Sequence, residues 1–439
     1  MRASRRPQRG AVLLVMLALT AMLCGCLLLV FNVGQQVSAK ARLIGAADSA
    51  ALSAAVWEAR SLNLQAYMNR AIVANEVAIG QFVSLQSWSR YMDRLLTNSA
   101  LVTSWVPYLG EALEALSGVW RGVDRALQST LPPMEVVVSV WNTDMLARAE
   151  VLAQQQAALV AQQITHQVAQ DNVAAAEQSA AAPLLAARNL AAFEALTRTY
   201  TAEGSQRQRL RTLVMNSRDG FTARRNWSES LAGLVSLEKR GGTDLIRYDA
   251  WRGLDDLSLH TASWLGDAEA PLVWGGAEFR QSVDNLRGSH GGSWSRNPRS
   301  TRRANRSRVI RAGYRGLSAY RDIAQPAQRT GLQARWVVEL QQSARSVGTS
   351  ETTLNGAGSV APGHATHVWQ PTYPQDRLYA LGAAHVFYQR PVARRDGRSE
   401  YPSLFNPYWE ARLAPVNAAD RQLAAFSKGL SVDPLEALP

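Results

Sequence analysis

The sequence predicts an α+β protein. A single N-terminal transmembrane helix continues into a helical stalk or bundle, and a C-terminal α+β domain with a small antiparallel sheet follows. Three observations predict this: an uncharged apolar run near the N-terminus, a proline-free stretch with helical spacing after it, and short apolar runs between turn residues later. The 439 residues suffice for two or three domains. With 47% apolar and 19% charged residues, neither a disordered chain nor a polytopic membrane protein fits.

The apolar run has the length of a membrane span. No residue in 10–39 is charged, and residues 11–31 are almost entirely apolar. As a helix, this segment spans about 31 Å, which matches the hydrocarbon core of a bilayer. We therefore predict a cytoplasmic basic stub at residues 1–9 and a transmembrane helix at residues 10–33.

Charge around the span predicts its orientation. Lys40 and Arg42 follow the span, whereas four arginines precede it: Arg2, Arg5, Arg6 and Arg9. By the positive-inside rule, the N-terminus is cytoplasmic and residues 34–439 lie on the other side of the membrane, outside the cytoplasm. A cleaved secretory signal is the rival interpretation, but its apolar core would hold only about 7–15 residues.

The two cysteines of the chain, Cys24 and Cys26, both lie inside this span. Their surroundings resemble a lipoprotein processing box, yet apolar residues 27–31 follow where a mature lipoprotein turns polar. We interpret both cysteines as small apolar residues of a lipid-embedded helix. The exported part therefore has no disulfide framework.

The stalk carries a seam of mostly small side chains. Residues 34–106 contain no proline, so the anchor helix should continue through them. Alternating four- and three-residue steps place ten residues on one helical face: Leu43, Ala47, Ala50, Ala54, Trp57, Ser61, Leu64, Met68, Ala71 and Asn75. The partner is a later helix of this chain or another subunit, which would make a homo-oligomer. We mark four seam residues as interaction candidates: Ala47, Ala50, Ala54 and Trp57.

A helical region is predicted to extend to residue 218. Polar residues recur among apolar ones in 63–85, and some of them should be buried and hydrogen-bonded: Asn63, Asn69, Asn75 and Glu76. Pro107 and the Pro132-Pro133 pair interrupt the chain, which leaves one helix near 110–129. Further helices are expected at 144–182 and 184–217, packed antiparallel to the stalk.

Residues 219–439 are predicted to form the α+β domain. Four short apolar runs bounded by turn residues predict strands: 245–248, 272–274, 336–340 and 384–388. Segments near 285–308 and 346–376 are rich in small and polar residues and are predicted to be loops.

The sequence lacks the motifs of common enzymes. The phosphate-binding GxxxxGK[ST] loop, the HExxH helix and the GxSxG elbow are all absent. His364 and His367 stand three apart without further ligands at a recognisable spacing, and Asp255-Asp256 is expected in a solvated turn. We predict no enzymatic activity, no catalytic residue, no metal site and no cofactor.

A basic segment accounts for much of the net charge of +12. Residues 285–321 contain ten arginines and no acid, and four of them are further interaction candidates: Arg299, Arg302, Arg303 and Arg306. One interpretation is docking to lipid headgroups, a cell-wall polymer or an acidic partner subunit. The other is a solvated loop. We do not expect nucleic acid as a ligand, because the predicted topology places the segment outside the cytoplasm.

The N-terminal residues resemble a known family. The marks are Arg9-Gly10, the apolar span, Asn32-Val33-Gly34 and the segment Ala46-Ala47-Asp48-Ser49-Ala50-Ala51-Leu52. Together they resemble TadE/TadG-like proteins of Flp (tight-adherence, type IVb) pilus assembly. The resemblance is strong over roughly the first 90 residues, and the stretch 56–85 looks like longer TadG-like members.

The resemblance implies a non-enzymatic inner-membrane component that contacts other pilus-machine proteins in the periplasm. Two features depart from relatives. Pseudopilin-type members carry a glutamate five residues beyond the processed glycine, where this chain has Val15, and a von Willebrand-type DxSxS motif is missing. The alternative is a membrane-anchored envelope protein that binds a cell-wall or glycan ligand through its C-terminal domain. Its platforms would be tryptophans: Trp264, Trp274, Trp336 and Trp369.

Overall fold

The structure is a computed structural model. It describes residues 11–106, 108–201, 204–231, 234–261, 268–282, 296–324, 332–348, 377–398 and 400–426. The helices are α1 (Ala11–Thr103), α2 (Leu109–Val140), α3 (Ala147–Asn172), α4 (Ala182–Leu196), α5 (Ser205–Asn216), α6 (Gly220–Ala223), α7 (Pro298–Ser307) and α8 (Ala418–Phe426). The strands are β1 (Glu177–Gln178), β2 (Thr197–Tyr200), β3 (Trp227–Leu231), β4 (Val235–Ile246), β5 (Ala250–Thr261), β6 (Glu269–Arg280), β7 (Val309–Ala312), β8 (Tyr320–Ile323), β9 (Gln333–Ser343), β10 (Arg377–Tyr388) and β11 (Trp409–Leu413).

One helix joins the anchor to the rest of the molecule. Helix α1 has 93 residues, so it is about 140 Å long at 1.5 Å per residue. Residues 12–30 are exposed except for half-buried Gly25, and this is the one helix of the described chain that is apolar and long enough to cross a membrane. The predicted continuation of the anchor into a helical stalk is confirmed. We call residues 34–103 of α1 the stalk.

A second helical segment runs back along the stalk. Helix α2, a π-helical segment at Trp141–Leu146 and α3 follow one another without a break. They run antiparallel to α1, because residues later in these helices contact residues earlier in α1. The hydroxyls of Thr97 and Ser117 lie 3.3 Å apart, and nearer the membrane span Gln65 Nε2 donates to Gln154 Oε1 at 2.8 Å. The predicted antiparallel packing of helices is therefore present.

The prediction that Pro132-Pro133 ends a helix is wrong. Helix α2 runs through both prolines to Val140. Pro132 lacks the N–H that would bond the carbonyl of Gln128, four residues earlier. That carbonyl instead accepts from Arg311 Nη2 at 3.3 Å. A guanidinium from β7 thus replaces one missing helical hydrogen bond.

The helices predicted after residue 144 are also interrupted. Helix α3 ends at Asn172, and the short strand β1 separates it from α4. Between α4 and α5 lies β2, which pairs with β8. The polar Ala- and Gln-rich sequence alone does not reveal these two strands, because both are paired with residues from the second half of the chain.

Two main sheets lie along the stalk. The proximal sheet, nearer the membrane span, has the order β1-β9-β10-β11 and is antiparallel. The distal sheet has the order β3-β4-β5-β6-β7, and its β6–β7 pair is parallel. The α+β fold class is confirmed, with two main sheets and the two-stranded β2–β8 sheet where one small sheet was expected. Three predicted strands lie within β6, β9 and β10; the fourth is partly right, since β4 ends at Ile246.

Glycines let both sheets touch the backbone of α1. A Cβ at Gly382 of β10 would lie 2.3 Å from the carbonyl carbon of Ala47. A Cβ at Gly275 of β6 would lie 2.5 Å from the backbone nitrogen of Tyr91. Because any side chain would collide with backbone atoms, only glycine permits these contacts. The stalk is therefore the shared packing partner of both sheets, while the domain boundary at residues 218–219 stays a prediction.

Apolar cores form where the stalk meets each sheet. The proximal core combines stalk alanines with α3 and the proximal sheet, including fully buried Leu43 and Leu62 and the ring of Trp336. The distal core surrounds Trp251 and Phe279. Burial of apolar surface provides the main stabilisation at both places.

A hydrogen-bonded cluster joins the stalk, the π-helical segment and the distal sheet. The carboxylate of Glu76 accepts from Trp251 Nε1 at 3.1 Å, from Tyr314 OH at 2.8 Å and from Asn142 Nδ2 at 3.2 Å. All four side chains are fully buried. Asn69 is also buried and donates to two backbone carbonyls. The prediction of buried, bonded polar groups in this stretch is confirmed.

Buried carboxyls make stability depend on pH. Burial raises the pKa of Glu135 from 4.5 to about 7 and that of Glu150 from 4.5 to about 8. Between pH 5 and 8 the folded chain therefore binds more protons than the unfolded chain, so the free energy of unfolding should fall as pH rises. The slope should be about 1.4 kcal/mol per pH unit for each group inside its window.

Urea unfolding of the detergent-solubilised chain at several pH values measures this slope. We expect Glu150→Gln to flatten it between pH 5 and 8, whereas Glu111→Gln on the exposed start of α2 should leave it unchanged. An unaltered slope in the combined Glu135→Gln, Glu150→Gln variant would contradict the assignment.

Candidate functional site

The predicted arginines lie on a helix instead of a loop. Residues 298–307 of the predicted loop form α7, which begins with Pro298 in its first turn, a position that proline favours. Ser300 and Ala304 are buried against the distal sheet. The arginines therefore occupy the exposed side of the helix, which we call the arginine face: Arg299, Arg302, Arg303 and Arg306.

Two carboxylates from the distal sheet hold α7 in place. Glu269 accepts from the backbone N–H groups of Arg299 at 2.7 Å and Ser300 at 2.8 Å. These N–H groups have no partner within the helix, and a negative charge also suits a helix N-terminus. Asp256 accepts from Thr301 Oγ1 at 2.8 Å and from Asn297 Nδ2 at 2.6 Å. The face is therefore presented in a fixed orientation.

Asp255 and Asp256 are fully buried in β5, so their prediction as part of a solvated turn is wrong. For Asp256, burial is the largest effect and raises the pKa to about 6. Burial acts in the same direction on Asp255, but Lys239 and Arg225 outweigh it and hold the pKa below the ordinary value. Both cations contact this carboxylate, at 2.7 and 2.9 Å. The pair thus combines an ionised carboxylate with one that binds its proton more tightly.

Among the described residues, no carboxylate neutralises the arginine face through an ion pair. Neighbouring Arg308, by contrast, binds Glu278 at 2.7 Å, and Arg296 binds Glu238 at 3.0 Å. The face therefore keeps its positive charge available for an external anion.

The face is linked to the stalk through Trp274. The guanidinium carbon of Arg303 lies 4.8 Å from the Trp274 ring centroid, and that of Arg94 on the stalk lies 4.5 Å from it. Both distances are typical of cation–π contacts. A small cavity of 230 Å³ beside this ring is lined by Arg90 and Arg94.

The structure shows whether the tryptophans predicted as glycan platforms are accessible. Trp274 is half-buried and already covered by two guanidinium groups. Trp336 is buried, with its indole N–H donating to Thr165 Oγ1 at 3.1 Å, so its prediction as a platform is wrong. Trp264 and Trp369 lie outside the described residues, as do His364 and His367.

The seam residues lie elsewhere and are buried within this chain. Ala47, Ala50 and Ala54 are fully buried in the proximal core, and Trp57 packs at its edge. Their neighbours are α3 and the proximal sheet, so the intrachain alternative describes their contacts here. Along α1, the contact of Ala47 and that of Tyr91 beside the arginine face are about 65 Å apart. The two predicted groups thus form two separate sites.

Sequence reasoning missed the residues that position α7. The sequence analysis did not identify three of them: Glu269, Asn297 and Asp256. No local sequence pattern marks these residues as partners of α7. One clue was available: ten arginines without an acid in residues 285–321 need carboxylates from elsewhere in the chain. Distal-sheet acids meet that need.

The described residues also contain a groove of 750 Å³ between the stalk, α5 and residues 403–406. It is lined mainly by polar side chains, including Arg70, Gln208, Arg209 and Asn406. Within the described part of the chain, no group of three or more His, Cys, Asp or Glu side chains could hold a metal ion.

The N-terminal segment matches a known protein family. Residues 10–57 match the family described as Flp pilus-assembly TadE/G-like. No curated protein and no solved structure matches the chain. The resemblance is thereby confirmed for the anchor and the beginning of the stalk, and it suggests a role in Flp pilus assembly. The match and the apolar helix α1 together fit a single-pass membrane protein.

Proposed function

We propose that this chain is a non-enzymatic, inner-membrane-anchored component of a Flp/type IVb pilus assembly or secretion machine. It acts through protein–protein contacts in the periplasm, with its N-terminus in the cytoplasm. The observation that carries the proposal is the continuity of α1, which passes from the matched anchor segment through both cores. A rigid stalk of this kind suits a scaffold that holds binding surfaces at fixed heights above the membrane.

The position of the arginine face favours an acidic protein partner. The face lies beside Tyr91, about 90 Å along α1 from the end of the span. Electrostatic attraction is screened within about 8 Å at physiological ionic strength. Headgroups of the anchoring membrane are therefore far outside its range. Exposed guanidinium groups suit bidentate bonds to carboxylates of another pilus-machine protein.

Neutralising the face should weaken that contact. Arg302→Gln combined with Arg306→Gln removes two exposed charges, each worth about 0.2–1 kcal/mol in a surface pair. We expect recovery of crosslinked pilus-machine partners with the full chain to fall roughly three- to tenfold. Arg148→Gln, at an exposed arginine of α3, is the matched control. Equal recovery for all three proteins would remove the arginine face from the proposal.

The topology has its own test. A C-terminal tag should resist protease in intact cells and be lost in spheroplasts. Protection until lysis would place residues 34–439 in the cytoplasm, which contradicts the assembly role as proposed and makes the arginine face accessible to nucleic acid.

A further inference from the structure

Helix α2 buries small and polar residues and exposes large apolar ones, the reverse of an ordinary surface helix. Its buried positions are mostly small or polar: Gly110, Ser117, Leu131, Glu135 and Ser139. Its solvent side carries large apolar residues, with Val119 68% exposed, Val137 64% exposed and Trp141 just beyond the helix 54% exposed. A surface helix normally turns such residues toward the core. The polar inner side is explained by hydrogen bonds to the stalk, but the apolar outer side has no role within the described chain.

Many of the exposed apolar residues lie in one regular stripe, although Leu109, Met134 and Val136 lie outside it. Six apolar residues and one threonine follow alternating three- and four-residue steps on the side of α2 facing away from the stalk, and we call them the α2 stripe: Leu116, Val119, Val123, Ala126, Thr130, Pro133 and Val137. This is the spacing of a coiled-coil seam. The charged residues of α2 all lie off the stripe: Glu111, Glu114, Arg121, Asp124, Arg125 and Glu135.

Gly122 flanks the stripe and adds a second observation. A Cβ on this helical glycine would meet nothing within 4 Å. Glycine inside a helix is about 1 kcal/mol less favourable than alanine, and no neighbour among the described residues requires it. A glycine beside an apolar stripe does permit close approach of another helix.

From these observations we propose that the α2 stripe pairs with the α2 stripe of a second copy of this chain, in parallel and in register. Two copies anchored in one membrane by α1 point the same way, so a two-fold axis relating them lies along the membrane normal. Each stripe residue then meets its own equivalent. Any charge on such a surface would face a like charge, and the stripe has none.

The available area suits a membrane-tethered dimer. From Leu116 to Val137 the stripe is about 32 Å long, and a helix is about 10 Å wide, so pairing buries roughly 640 Å² in total. That is less than a stable complex between free proteins needs, so the pairing depends on confinement to one membrane. Confinement to one membrane raises the effective concentration of the partner surface and so favours pairing.

Cysteine crosslinking in native membranes tests the register. The full chain carrying Cys24→Ser and Cys26→Ser provides a cysteine-free background. In it, Val119→Cys should form a disulfide-linked homodimer on mild oxidation, at least fivefold more than Arg121→Cys, an exposed control on another side of α2. Equal crosslinking at both positions, or a Val119→Cys disulfide to a different polypeptide, would overturn the proposal.

A charge variant separates loss of pairing from loss of folding. Val119→Lys with Val123→Lys places like charges opposite each other in the dimer. In native membranes, Val137→Cys in the cysteine-free background should form at least fivefold less disulfide-linked homodimer when both lysines are present. The melting curve of the detergent-solubilised variant should match that of the unchanged chain, because both side chains are exposed in the monomer. Undiminished Val137→Cys crosslinking in the presence of both lysines would exclude the α2 stripe as the interface. The outcome does not depend on pilus-machine partners.

Discussion

Replacing Gly382 with alanine is expected to destabilise the protein by about 3 kcal/mol or more, the largest effect of any single methyl addition considered. The added Cβ would lie 2.3 Å from the carbonyl carbon of Ala47, 2.4 Å from its oxygen and 2.5 Å from the Asp48 nitrogen. These are backbone atoms of α1, so no side-chain rotation relieves the collision. The proximal sheet must move away from the stalk, which opens the core around Leu43.

Gly45 provides the matched control. It lies two residues before Ala47 on the exposed side of the same helix, and a Cβ there would meet nothing within 4 Å. Gly45→Ala should therefore stabilise the chain by up to about 1 kcal/mol through helix propensity. Urea unfolding followed by circular dichroism measures both variants. If Gly382→Ala behaved like Gly45→Ala, the close sheet–stalk contact would be wrong.

Replacing Glu76 with leucine is expected to cost about 4 kcal/mol. The change leaves the buried donors of Trp251, Tyr314 and Asn142 without their shared acceptor, and each unsatisfied donor costs about 1–3 kcal/mol. Burial raises the pKa of Glu76, while the three donors act in the opposite direction. Glu76→Gln keeps one carbonyl oxygen, so its effect should be smaller, about 1–2 kcal/mol.

The comparison between leucine and glutamine separates hydrogen bonding from volume. Glu114→Leu on the exposed side of α2 should change the unfolding free energy by less than about 0.5 kcal/mol. We expect the order Glu76→Leu, Glu76→Gln, Glu114→Leu in decreasing loss of stability. A leucine variant as stable as the glutamine variant would show that the three donors find other partners.

The sequence was most informative where local pattern decides structure. The span, the continuation of α1 and three of the four strands follow from apolar periodicity and turn residues, so they could be predicted. The predicted seam is buried at its beginning but not throughout, since Leu64 is 49% exposed. Ala47, Ala50 and Ala54 form a buried face. Its contact with Gly382 could not be foreseen, because a β-strand from the far end of the chain forms it.

Contacts between distant segments explain the errors. A proline pair ordinarily ends a helix, and only Arg311, about 180 residues beyond Gln128 in the chain, compensates for Pro132. Likewise, the arginine face could be found by composition, but its helical geometry depends on Glu269 and Asp256. Arginine favours a helix, but the serines, the threonine and the asparagine of this segment do not. Carboxylates from the distal sheet supply the missing N-terminal partners.

The unbroken course of α1 has a mechanical consequence. With the span and the stalk in one helix, any reorientation of the segment within the bilayer turns the whole assembly of sheets with it. A tilt of about 10° would displace the far end of a stalk roughly 105 Å long by about 18 Å. The molecule is thus a lever whose short arm lies in lipid. If a partner inside the membrane tilts the span, the arginine face therefore moves farther than the span does.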